Sequence, residues 1–239
     1  MEFNYCKNGE EIKEFEDWRK LGGPKSVKHW KPGRSSQEMA NFALNKGNCD
    51  KTFKERISEV LKECNINAQN FKCEPEAITS LGKGMGRGGC RNHDLLMIGE
   101  NCVIGIEAKV SESFDNTIDK VIKEQSNNKD KKHTRAYKLA KFLAKGDCEK
   151  QIGYQLFTAT YGTMCAALNN NLDKCIQLVI VFTGKIKSET NYKSKCEVNE
   201  KQFNDFIDAV GANNEGKITR TISGKDVNCW IKKIEVYIL

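Results

Sequence analysis

The chain has 239 residues, enough for one substantial domain with its own buried core. Charged residues make up 30% of it, and Lys plus Arg (39) exceed Asp plus Glu (32), the balance of a protein that meets polyanions. Eleven scattered cysteines without CxxC or CxH pairs, three histidines off zinc spacing, an acidic polar opening ("MEFNYCKNGEEIKEF") and the lack of a long apolar run argue against a disulfide framework, a structural zinc, a secretory leader and a membrane span.

What remains is a cytoplasmic chain with free thiols, read as a single domain over 1–239. It comprises an N-terminal helical extension (1–34), a core (35–184) and a C-terminal helix and strand (185–239). A first helix is predicted from about Gly9 to Leu21, stopped by Gly22-Gly23-Pro24. Ser35 and Glu38 have capping-box spacing for a second helix, "SQEMANFALNK". Asp50 is the expected N-cap of a third, which carries Phe53, Ile57, Val60 and Leu61 on one side. "DLLMIG" and "NCVIGIEAKV" are short apolar runs that read as two strands joined at Gly99-Glu100-Asn101. An exposed loop is expected over Gln125 to His133, then a basic helix "TRAYKLAKFLAK" and a helix "QIGYQLFTATYGTMCAALNN" dense in small residues. "IQLVIVFTG" reads as a strand buried on both faces, "NEKQFNDFIDAVG" as a helix and "WIKKIEVYIL" as a closing strand. The order predicts an α/β fold with a mixed central sheet flanked by helices, and extra helices at the N-terminus.

Side chains alternate faces along a strand, so Glu107 and Lys109 share one face and Cys102, Ile104, Ile106 and Ala108 the other. A two-residue turn at Glu100-Asn101 would pair Gly99 with Cys102 and Asp94 with Glu107, while a one-residue slip would move Asp94 off that face. Two adjacent carboxylates repel, and a proton, a cation or a metal must offset that repulsion. An oxygen-only site of this kind suits Mg²⁺ or Mn²⁺, with Lys109 beside it to stabilise or activate a water.

Asp94, a gap of twelve, then Glu107-Ala108-Lys109 resembles the motif of the PD-(D/E)xK nuclease superfamily. The segments "NHDLLMIG…IGIEAKVSESFD" and "YQLFTATYGT" are similar to an uncharacterised prokaryotic branch of it. The resemblance covers roughly 35–184 and implies a restriction-endonuclease-like core and metal-dependent hydrolysis of phosphodiester bonds. It further implies Asp94 and Glu107 as metal ligands, the Ala108 carbonyl as a third and Lys109 as the catalytic lysine. The family's proline is replaced here by His93. An upstream carboxylate is common in the family, with Glu38 the better candidate and Glu76 the second. A polar residue on the following helix is common too, with Gln155 the candidate. DNA is the expected polymer, and cleavage of both strands would favour a homodimer. The same fold also persists as inactive nucleic-acid-binding or protein-interaction modules, and an enzyme on a small phosphorylated substrate is a further alternative.

Glycine fills five of the eight positions from Gly82 to Gly89. Gly84, Gly86 and Gly89 satisfy GxGxxG, but a strand follows where a dinucleotide site needs a helix, and the P-loop's Gly-Lys-Ser/Thr is absent. The stretch reads as a loop delivering the chain to Asp94, with Lys83, Arg87 and Arg91 available to a phosphate backbone. Arg135, Lys138 and Lys145 recur at three- and seven-residue steps and predict a second basic contact surface, near Lys131 and Lys141.

Overall fold

The computed structural model describes residues 1–23, 30–82, 89–127, 130–146, 151–184 and 192–239. The chain opens with a strand, β1 (Glu2–Lys7), and a short β2 (Glu10–Glu11). Helices α1 (Phe15–Gly22), α2 (Ser35–Ala43) and α3 (Phe53–Glu63) follow, then strands β3 (Asn70–Ser80), β4 (Cys90–Gly99) and β5 (Val103–Lys109). Next come α4 (Ile118–Ser126), α5 (Arg135–Leu143) and α6 (Tyr154–Asn169), then β6 (Lys174–Gly184), α7 (Tyr192–Val210), β7 (Lys217–Ile222) and β8 (Lys225–Ile238).

The strands form one eight-stranded mixed sheet, ordered β2-β1-β3-β4-β5-β6-β8-β7. The parallel pairs are β1 with β3, β5 with β6 and β6 with β8; the other neighbours are antiparallel. A hydrophobic core lies on each face. One gathers α1, α2 and α3 over Phe71, Ile104, Ile106 and Ile180, and the other gathers α4, α5, α6 and α7 over Val103, Val179 and Ile231. Every residue of β5 is buried, as a central strand between two helical layers requires. The α/β expectation of a mixed sheet flanked by helices therefore holds. Among the described residues, no helix is long and apolar enough to cross a membrane.

Several local expectations need correction. The N-terminal extension is not all helical: β1 is the parallel neighbour of β3, and its Phe3 and Tyr5 pack against Phe53, Phe71 and Trp18. The first helix starts at Phe15, because Ile12 still bonds Tyr5 across the β1–β2 turn. Ser35 does not cap α2, and the capping box of α3 is Thr52 with Glu55 rather than one led by Asp50. Helix α4 occupies part of the polar stretch after the hairpin, through a buried Ile118, Val121 and Ile122 stripe. Strand β7 joins β8 through Ser223 and Gly224, both at positive φ (52° and 79°), as a two-residue type I′ hairpin turn demands.

Candidate functional site

The β4–β5 hairpin pairs Leu95 with Ile106, Leu96 with Gly105, Met97 with Ile104 and Ile98 with Val103, and the Gly99 N–H bonds the Cys102 carbonyl at 2.9 Å. The next step of that register sets Asp94 opposite Glu107. At this point the strands part, and the Asp94 carboxylate accepts the Ala108 N–H at 2.7 Å. Ala108 thus enters the site through its amide.

The alternation of faces along β3 and β4 breaks here. Phe71 and Cys73 belong to one core while Ala77 and Leu81 belong to the other, although all four are odd-numbered. On β4, Leu95 and Met97 face the first core, yet Arg91 and His93 lie against Gly162 of α6. The inversion falls at Glu76 (φ 48°), which the register sets opposite Asp94. A left-handed residue within a ladder re-aims the side chains beyond it, in the manner of a bulge.

The re-aimed Arg91 reaches Glu107. Its guanidinium pairs with Glu107 Oε2, while Lys109 Nζ stands 2.8 Å from Glu107 Oε1. Glu107, at 2% exposure, is thus held between two cations that are themselves buried (9% and 5%). Lys109 Nζ also donates to Gln155 Oε1 at 2.8 Å, so the first turn of α6 closes the site as expected for Gln155.

Burial dominates the electrostatics. It pushes the Asp94 carboxyl upward against the pull of Lys109 and the Ala108 N–H, and it lowers both Lys109 and Arg91 against the pull of Asp94. Glu76 is raised to about 7, first by burial and then by the charge of Asp94. His93, the residue in place of the family's proline, is lowered to about 3 by burial and by Arg91. Both its ring nitrogens, and Arg91 Nε, lack a hydrogen-bond partner among the described residues. Burial alone would raise Glu112, but the N–H groups of Val110 and Ser35 and the charge of Lys109 hold its carboxyl below the usual range.

Of the upstream carboxylates, Glu76 and not Glu38 adjoins the hairpin acids. The Glu38 carboxylate accepts the Gly33 N–H at 2.7 Å and is used at the start of α2. Arg91 is also corrected: it is buried on Glu107 and is not offered to a polymer backbone. Lys83 and Arg87 lie outside the described residues. The basic stripe is broken up: Arg135 Nε donates to the Tyr154 hydroxyl at 2.7 Å, Lys138 is half-buried, and Lys145 lies past the end of α5. Sequence reasoning missed the inward role of Arg91, along with His93 and Glu112. The sequence signal for Glu112 was its place three residues after Lys109, and none existed for the face inversion that turns Arg91 inward.

Among the described residues, no three His, Cys, Asp or Glu side chains form a ready-made metal cage. Asp94 and Glu107 are oxygen donors of the type a hard divalent cation takes, and both oxygens of Glu107 are paired here with Arg91 and Lys109. No curated protein and no solved structure matches the chain. A family model does, over residues 11–236, and the chain therefore belongs to the family described as a domain of unknown function, DUF6946.

Proposed function

We propose that the chain is a metal-dependent nuclease of the PD-(D/E)xK type, hydrolysing phosphodiester bonds in DNA and working in the cytoplasm. One observation carries the reading: the Asp94 carboxylate bonds the Ala108 N–H, between Glu107 and Lys109, and Lys109 in turn meets both Glu107 and Gln155. Burial supports it, because Asp94 and Lys109 are shifted toward their neutral forms, a pattern that clusters at sites of chemistry.

Asp94 and Glu107 would hold Mg²⁺ or Mn²⁺, with Glu76 the nearest further carboxylate. The bound ion would supply Lewis-acid polarisation of the scissile phosphate. Lys109, already lowered by burial, orients or deprotonates the attacking water, or donates to the oxygens that gain charge as it adds. Gln155 fixes the lysine's direction. Arg91 pairs with Glu107 and supplies a further cation beside the developing negative charge.

A second reading has its own observation. Glu107 is already neutralised by Arg91 and Lys109, so the cluster is also what a non-catalytic, nucleic-acid-binding or protein-interaction relative would retain as a buried ion-pair network. A calorimetric Mn²⁺ titration of wild type beside Asp94→Asn separates the two. Saturable binding lost in the variant is expected for the nuclease, and no binding in either protein sinks the metal-dependent reading. Lys109→Ala then tests the chemistry, since cleavage as fast as wild type would remove the lysine from its role.

A further inference from the structure

The faces of β3 and β4 invert at Glu76, whose left-handed φ of 48° costs a residue with a Cβ and persists only where neighbours hold it. Two elements of the N-terminal extension meet at that point. Strand β1 runs parallel to β3 from Glu2 opposite Asn70 to Tyr5 opposite Cys73, and the pairing stops short of Pro75, which has no N–H to give a ladder. Lys7, two residues beyond Tyr5, reaches on with its side chain instead. Its ammonium donates to the Glu76 carbonyl at 2.8 Å and to Glu74 Oε1 at 3.0 Å. Helix α1 closes on the same place, so near that a Cβ on its last residue, Gly22, would stand 2.4 Å from Pro75 Cγ.

This grip on the Glu76 backbone has a consequence for its carboxylate. Asn92 Nδ2 donates to Glu76 Oε2, and the register sets Glu76 opposite Asp94. Burial and the charge of Asp94 push the Glu76 carboxyl up, while Asn92 and Lys7 draw it down, so these groups converge on one side chain. The Lys7 side chain is mostly covered, at 13% exposure, whereas Glu74 is a third exposed, and an ion pair to so open a carboxylate is worth little. The bond that matters is the one to the Glu76 carbonyl, at the residue where the faces invert.

We propose that Lys7 is a positioning residue: through the Glu76 carbonyl it fixes the left-handed turn in β3, and so keeps the Glu76 carboxylate beside Asp94 and on Asn92. Lys7 belongs to β1, outside the 35–184 core that carries the family resemblance, so the N-terminal strand shapes the site from beyond it. The fixing of the turn stands by itself; the use of Glu76 as a further metal-holding carboxylate rests on the nuclease reading.

The test compares Lys7→Met, Lys7→Gln and Lys7→Arg in the full chain. The reporter is the Asn92 side-chain amide in a ¹⁵N–¹H spectrum, assigned by its loss in Asn92→Ser. Lys7→Met keeps the apolar stem, and Lys7→Gln keeps a polar end too short for the carbonyl. Both are expected to move the Asn92 amide toward the position of an unbonded asparagine, and Lys7→Arg, which can donate to the same carbonyl, to restore it. A lysine that only stabilises the fold would lower the thermal midpoint and leave the Asn92 amide in place in whichever variant folds, and that result overturns the proposal. Calorimetry with Mn²⁺ supplies the second arm. By charge alone, removing a cation would tighten a divalent ion; loss of position is expected to weaken it about tenfold, as for other groups that orient a ligand. Equal or tighter Mn²⁺ binding in Lys7→Met overturns the link from Lys7 to the metal. A wild-type protein that takes up no Mn²⁺ defeats the nuclease reading alone, because the Asn92 amide still reports the turn, and Mn²⁺ uptake with an Asn92 amide unmoved by Lys7→Met defeats this proposal alone.

Discussion

The Cβ that Gly162 lacks would stand 2.8 Å from both Cβ and Cγ of Arg91. Helix α6 can approach Arg91 this closely only because position 162 carries no side chain, and the stem of Arg91 fills the space released. Gly162→Ala should displace Arg91 and destabilise the protein by about 1–3 kcal/mol, the ordinary cost of overpacking. Urea unfolding measures it. Gly105→Ala should cost more, because its Cβ would overlap the Thr163 hydroxyl, which is bound to Gln177 at 2.7 Å.

Arg91 and Lys109 share one carboxylate, so their substitutions should not add. Arg91→Met is expected to cost about 2 kcal/mol, less than a broken isolated buried pair, because Lys109 still compensates Glu107. The double variant Arg91→Met/Glu107→Gln should be more stable than the sum of its parts predicts. Strict additivity in a double-mutant cycle would mean that the pair contributes nothing to folding.

The pH dependence of stability has two opposing sources. His93 is held near 3 in the fold, below its ordinary 6.5, so between those values the unfolded chain binds the extra proton and stability falls as pH falls, by at most about 1.4 kcal/mol per pH unit. Glu76 is raised to about 7 from 4.5, so between those values the folded chain holds the extra proton and stability falls as pH rises. The two oppose each other between about 4.5 and 6.5; below that, Glu112, held low, adds to the effect of His93, and Asp94, held high, opposes it. His93→Gln should flatten the acid limb of urea midpoints against pH, and Glu76→Gln should remove the decline toward neutrality. An unchanged acid limb in His93→Gln would show that the imidazole titrates normally.

For polymer binding, Lys138→Ala and Lys145→Ala should each reduce the slope of log affinity against log salt by about one if they touch DNA phosphates. No change in slope would move the polymer's path off α5.

The Asp94–Glu107 relationship was legible because the apolar runs on either side of Gly99-Glu100-Asn101 fix a hairpin and a tight turn fixes its register. Gln155 was named only through the family resemblance, as a polar residue on the helix after the hairpin, and the structure bonds it to Lys109. The inward turn of Arg91 was not legible, and Glu76 was only the second candidate behind Glu38, since strict alternation assigns faces from sequence and a single left-handed residue reverses them. Strand β1 escaped for another reason: "EFNYCK" alternates only Phe3 and Tyr5, too short a pattern to announce a strand, and these two rings pack into the core beside β3. Ser35 is the first residue of α2 rather than its cap, with Arg34 at the cap position and the Glu38 carboxylate accepting the Gly33 N–H.

The cysteines carry a practical consequence. All ten described cysteines are free, and of these only Cys90 is exposed; Cys64, Cys73, Cys102, Cys165, Cys175 and Cys229 are buried, most of them with thiols pushed well up by burial. Cys90 stands next to Arg91 in β4. A fluorophore attached there would lie one residue from the guanidinium that holds Glu107, on a chain whose buried thiols resist the reagent while it stays folded. The protein thus carries its own attachment point for an optical reporter, able to register whatever loosens Arg91 from Glu107.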